Sequence, residues 1–140
     1  MQVVILHESL TGNTERAARL IANAFYDRQI GAHVFPVDGY DAQAVAEADL
    51  VVVGSLTDGF FLVGQKPAKR KKFRALPDLA GKRCAVFCTF ALDSGHTLDK
   101  LSAVMTERGA EVIGGLAIRR DRLSEGAVDF VERVLEAVSV

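Results

Sequence analysis

The stretch Ser9-Leu10-Thr11-Gly12-Asn13-Thr14, followed by Glu15, sets the reading of the chain. It lies between an apolar run, Val3-Val4-Ile5-Leu6, and a helical pattern of Ala17, Ala18, Leu20, Ile21, Ala24 and Phe25. A strand, a hydroxyl-rich turn and a helix in that order make an anion site. The first backbone N–H groups of a helix lack intrahelical partners, and the helix dipole adds partial positive charge there. Capping alone needs one Ser, Thr, Asp or Asn, whereas three hydroxyls, an amide and a glycine fill five of these six positions. No Lys or Arg precedes Arg16, so a phosphate in this turn is held by neutral donors.

Working outward, Gln2 to His7 reads as the first strand, with a helix to about Arg28 that ends at Gly31. Ala32 to Val37 form a second strand, and Asp41 caps a short helix through Ala48. Leu50-Val51-Val52-Val53 is continuously apolar, as expected of a strand buried on both faces. A long loop starts at Gly54, followed by a basic segment around Pro67 to Phe73. Arg83 to Phe90 is the fourth strand. A helix from about Thr97 turns Leu98, Leu101 and Met105 to one face and stops at Gly109. Glu111 to Ile118 is the fifth strand. Ser124 caps a last helix with Val128, Val131, Leu135 and Val138 on its inner face. Strands alternating with helices indicate an α/β fold, a doubly wound five-stranded parallel sheet of order 2-1-3-4-5. Ligands of such sheets sit beyond the carboxyl ends of the strands.

A chain of 140 residues, 49% hydrophobic and 25% charged, reads as one domain of an ordinary soluble protein. The formal charge of −1 gives no argument for nucleic acid, and no apolar run reaches membrane-spanning length. The N-terminus lacks the basic and long apolar regions of a signal peptide, so a cytoplasmic protein is expected. Cys84 and Cys88 share a strand face at a spacing too long for a disulfide and have no nearby His; they read as inert core thiols.

At the first strand-to-helix turn, Ser9-x-Thr11-Gly12-Asn13-Thr14 resembles the phosphate loop of the flavodoxin family, which binds riboflavin 5′-phosphate (FMN). The element order resembles that family over essentially the full length. The resemblance implies a flavodoxin-like fold, FMN as cofactor, and electron exchange with redox partner proteins, a reductase and an acceptor. It also implies roles for two further loops. In the loop from Gly54, the resemblance assigns Ser55, Leu56, Thr57, Asp58, Gly59, Phe60 and Phe61 to the flavin ring. Many flavodoxins carry Trp in this loop; this chain has none, and Asp58 stands where that Trp commonly falls. Phe60 and Phe61 are then the candidates to cover the ring, by offset stacking. The spacing from Gly54 to Gly64-Gln65 resembles the flavodoxin-like NAD(P)H:quinone reductases instead. The third loop, Thr89 to His96, contributes Thr89, Phe90, Asp93, Gly95 and His96. Flavodoxins often place a Tyr there; Phe90 and His96 are the candidates to substitute, although His96, beside Gly95 near a helix start, reads rather as a cap-region surface residue than as a ring contact. His7, at the end of the first strand, is a further candidate.

Lys66 to Arg74 carries six positive charges in nine residues. It reads as a solvated helix face, or as a surface, unlike the acidic one flavodoxins generally present, that docks a different partner or a pyridine-nucleotide phosphate. A lone cluster without a groove element does not suggest nucleic acid. No Gly-x-Gly-x-x-Gly, complete P-loop, phospho-accepting Asp at the end of the third strand or catalytic triad motif occurs. The expectation is an FMN-binding electron carrier, monomeric or weakly dimeric, with no nucleic acid or membrane partner. The alternatives are an NAD(P)H-dependent quinone or flavin reductase, and a flavin-free interaction module that keeps the fold.

Overall fold

Two apolar, largely β-branched runs form the middle of the sheet in the computed structural model, which describes residues 1–8, 12–58, 66–67 and 79–139. Strand β1 (Gln2–His7) pairs in parallel with β3 (Leu50–Asp58), from Val3 against Leu50 to His7 against Gly54. Strand β2 (Gly31–Pro36) lies outside β1; β5 (Arg83–Phe90) and then β6 (Glu111–Arg119) lie beyond β3, all parallel. The order β2-β1-β3-β5-β6 is the expected 2-1-3-4-5 once a two-residue strand, β4 (Lys66–Pro67), is counted. That strand pairs antiparallel with the last two residues of β3, Thr57 and Asp58.

Side chains of a strand alternate between faces, and here each face meets its own pair of helices. Val3, Ile5, Val52, Ala85 and Phe87 pack with α1 (Asn13–Tyr26) and α4 (Leu123–Ser139). Val4, Leu6, Val51, Val53, Cys84 and Val86 pack with α2 (Ala42–Glu47) and α3 (Thr97–Glu107). Each Val, Leu, Ile or Phe buried in these cores contributes about 1.5–3 kcal/mol. Helix α2 is fixed at both ends. Asp41 accepts from the N–H groups of Gln43 and Ala44, as its sequence predicts. Lys82 Nζ donates to the Ala46 and Ala48 carbonyls at 2.8 Å each, where the dipole favours a cation.

Three expectations are corrected. The chain does not enter a loop at Gly54; β3 continues through Ser55, Leu56, Thr57 and Asp58, because β5 offers pairing as far as Leu56 against Thr89. Ser124 is not the cap of the last helix, which already begins at Leu123. Val128 does not face inward but is 48% exposed. The buried face runs through Ala127, Phe130, Val131 and Val134, centred on Phe130, whose ring meets Phe87 edge-on at 5.9 Å. Val128 follows Ala127 and stands ~100° around the helix from it. Among the later expectations, those on Ser9, Leu10, Thr11, Gly59, Phe60, Phe61 and the basic segment after Pro67 lie outside the described residues.

Phe87 also explains Gly54. A Cβ at Gly54 would lie 2.0 Å from Phe87 Cζ, and that ring is fully buried with no room to withdraw. Gly54→Ala is expected to cost about 1–3 kcal/mol in urea unfolding, the usual penalty for overpacking a core. Unchanged stability would show that the ring yields.

Candidate functional site

The site is built where β1 ends and α1 begins. Beyond His7, Glu8 is buried and donates its N–H to the Gly54 carbonyl at 2.9 Å, tying the departing chain to β3. Gly12 is the N-terminal flanking residue of α1, with φ 91°, a left-handed backbone that a side chain would strain. Gly12 has no side chain with which to cap the helix. The first i→i−4 bond runs from Arg16 N–H to the Gly12 carbonyl at 3.0 Å. The N–H groups of Asn13, Thr14 and Glu15 therefore precede the helical ladder and are aimed out of the helix end.

Beside this helix end lies a cleft lined by Asn13, Leu56, Thr57, Thr89, Phe90, Ala91 and Asp93, with Arg120 closing it from beyond β6. Its walls are the last residues of β3 and β5 and the turn that follows β5. Asn13 belongs to both the helix end and the cleft, which are thus continuous. A second link is buried: Thr14 Oγ1 and Thr89 Oγ1 are hydrogen-bonded at 3.0 Å, 75 positions apart in sequence. Asp93 Oδ1 accepts from the Gly95 N–H at 3.0 Å, which shapes the turn.

Gly12, Asn13, Thr14, Leu56, Thr57, Thr89, Phe90 and Asp93, all expected from sequence, meet in this one place. Ser55 is buried within β3, its hydroxyl donating to the Leu56 carbonyl at 3.0 Å. Asp58 ends β3 with its backbone paired to Lys66. His96 stands at the start of α3 with its side chain 82% exposed and Nδ1 3.6 Å from Asp99 Oδ2, so the ring faces solvent. Arg120 was not anticipated. Its signal is the run Arg119-Arg120-Asp121-Arg122 directly after the last strand, where the topology collects loops.

The donor set suits a phosphate ester joined to a planar ring. The first N–H groups of α1 and the dipole face one end, and a mixed apolar and hydroxyl cleft faces the other. Among the described residues no group of three His, Cys, Asp or Glu is placed to hold a metal ion. None of their helices is long and apolar enough to cross a membrane. Cys84 and Cys88 are free and buried, and burial pushes their thiols up to about 12 and about 11, the Thr57 hydroxyl opposing the second. Such thiols stay protonated and unreactive.

His7 is buried at the base of the site, with Nε2 3.9 Å from Glu15 Oε1. Burial lowers its pKa. The Glu15 carboxylate opposes that shift, Arg19 adds to it, and Glu8 and Asp38 oppose it weakly. The unfolded chain therefore takes up this proton more readily than the folded one. The resulting stability is complete above about pH 6.5 and is lost as pH falls through the lower folded value. Urea unfolding of wild type and His7→Gln should diverge in slope below that pH, the variant losing less stability on acidification. Parallel curves would mean that His7 keeps its ordinary affinity for protons.

A family model for flavodoxins matches residues 5–132. Among solved structures, flavodoxin 1 of Bacillus cereus shares 26% identity at a TM-score of 0.75, over 97% of this chain and 98% of that one. Flavodoxin 2 of the same organism shares 27% at 0.70, over 95% and 99%. The two-electron reduced flavodoxin of Megasphaera elsdenii shares 23% at 0.77, over 99% of each chain, a likeness of fold. No curated protein sequence matches the chain.

Proposed function

The chain belongs to the flavodoxin family, whose members bind FMN and transfer electrons to redox partners, and we propose that it works as an electron carrier. The observation that carries this reading is the N-terminus of α1, continuous through Asn13 with a cleft at the carboxyl ends of β3 and β5.

When bound, FMN supplies reversible one-electron and two-electron chemistry; the protein supplies position and field. The Asn13 and Thr14 N–H groups and the α1 dipole hold the phosphate without a cation, and Gly12 lets the chain turn tightly around it. Ser9 and Thr11 add hydroxyls by the motif. Leu56, Thr57, Thr89 and Phe90 flank the ring, excluding water from one side of it. The buried Thr14–Thr89 bond keeps the phosphate end and the ring end in fixed register. Asp93 and Arg120 place opposite charges on the cleft. The carboxylate disfavours added negative charge on a reduced ring and the guanidinium favours it.

The purified protein is expected to show the visible bands of bound flavin, and to hold them in air when NADPH is added without a reductase. A colourless protein that takes up no added FMN would contradict the reading and favour an interaction module. Bleaching by NADPH alone would make it a reductase.

A further inference from the structure

Arg120 has two sides. One lines the cleft; the other lines a neighbouring open groove with Arg16, Arg122 and Ser124. The carboxylates of this groove are already engaged. Asp121 Oδ2 lies 3.0 Å from Arg119, and Glu125 Oε2 lies 3.7 Å from Arg122. Arg16 and Arg120 are exposed and, among the described residues, pair with no carboxylate. Three arginines and two carboxylates thus line the groove, a surplus of one positive charge on a chain whose net charge is −1. Across the same end of the sheet, Lys66 on β4 is where the chain enters its basic run. Asp93, the carboxylate lining the cleft, accepts the Gly95 N–H.

We propose that Arg16, Arg120 and Arg122 form the docking face for an acidic protein partner in electron transfer. The inference rests on the carrier reading above and adds the sign of the partner's surface. The groove is shallow and its guanidinium groups are spread over exposed surface, a geometry that suits a second protein better than an enclosed small ligand. Guanidinium forks match carboxylate pairs, and arginine is enriched at interfaces. A surplus of one sign beside the cleft steers an oppositely charged partner so that it arrives with its redox centre near the ring.

The test is stopped-flow oxidation of the FMN-loaded, reduced protein by two one-electron acceptors of opposite charge. These are the acidic copper protein plastocyanin and the basic haem protein cytochrome c. In each encounter one electron leaves the flavin and reduces Cu(II) to Cu(I) or Fe(III) to Fe(II). The plastocyanin rate should fall about tenfold as salt rises from roughly 0.01 to 0.3 M, while the cytochrome c rate stays flat or rises. Combining Arg16→Glu, Arg120→Glu and Arg122→Glu should reverse the sign of the plastocyanin slope. The slope is read on loaded protein, so altered FMN affinity does not enter it, and the wild-type slope needs no variant. A cytochrome c rate that falls with salt while plastocyanin's rises would overturn the proposal, as would indifference of both to salt. So would reduction by NADPH alone that is lost in Arg120→Glu, which would assign the groove to nucleotide phosphates. A protein that takes up no FMN, or passes electrons to neither acceptor, would instead sink the carrier reading and the docking face with it.

Discussion

Everything in this molecule depends on the parallel pairing of β1 with β3, two strands buried on both faces. Because both faces need cover, α1 and α4 lie on one side of the sheet and α2 and α3 on the other. The crevice beyond the carboxyl ends of the strands is the place at which an open α/β sheet binds its ligand. Gly54 marks how close this arrangement is: it pairs with His7, accepts from Glu8 and lies against the Phe87 ring.

The site inherits its character from that crevice. Donors come from the backbone of a helix N-terminus, so an anion is recognised by fixed dipoles whose orientation the fold has already determined. The charged groups sit further out. Arg120 and Asp93 border the ring cleft, while Arg16 and Arg122 occupy the adjoining surface. Binding the cofactor and meeting a partner thus draw on different parts of the chain, with Arg120 common to both.

The motif, the strand order and the Asp41 cap were legible in the sequence because each rests on local rules: turn chemistry, continuous apolar runs, and a side chain bonding its own helix. What was not legible depends on neighbours. Ser55 to Asp58 look like a loop, being mostly polar and preceded by Gly54, yet β5 pairs with Ser55 and Leu56 and β4 with Thr57 and Asp58, which makes them strand. Val128 fits an apolar period, but the Phe87–Phe130 contact sets the rotation of α4 and leaves it outside. The Thr14–Thr89 bond and the reach of Arg120 into the cleft join segments far apart in sequence, and no periodicity reveals them.

The central claim is that a phosphate at the α1 terminus anchors the cofactor, and a pair of fluorescence titrations of the apo-protein tests it most directly. FMN and riboflavin share the ring and differ only in the phosphate. Hydrogen bonds to a charged group contribute about 1.5–3 kcal/mol each, so FMN should bind at least about tenfold to a hundredfold more tightly than riboflavin. Equal affinities for the two would contradict the account.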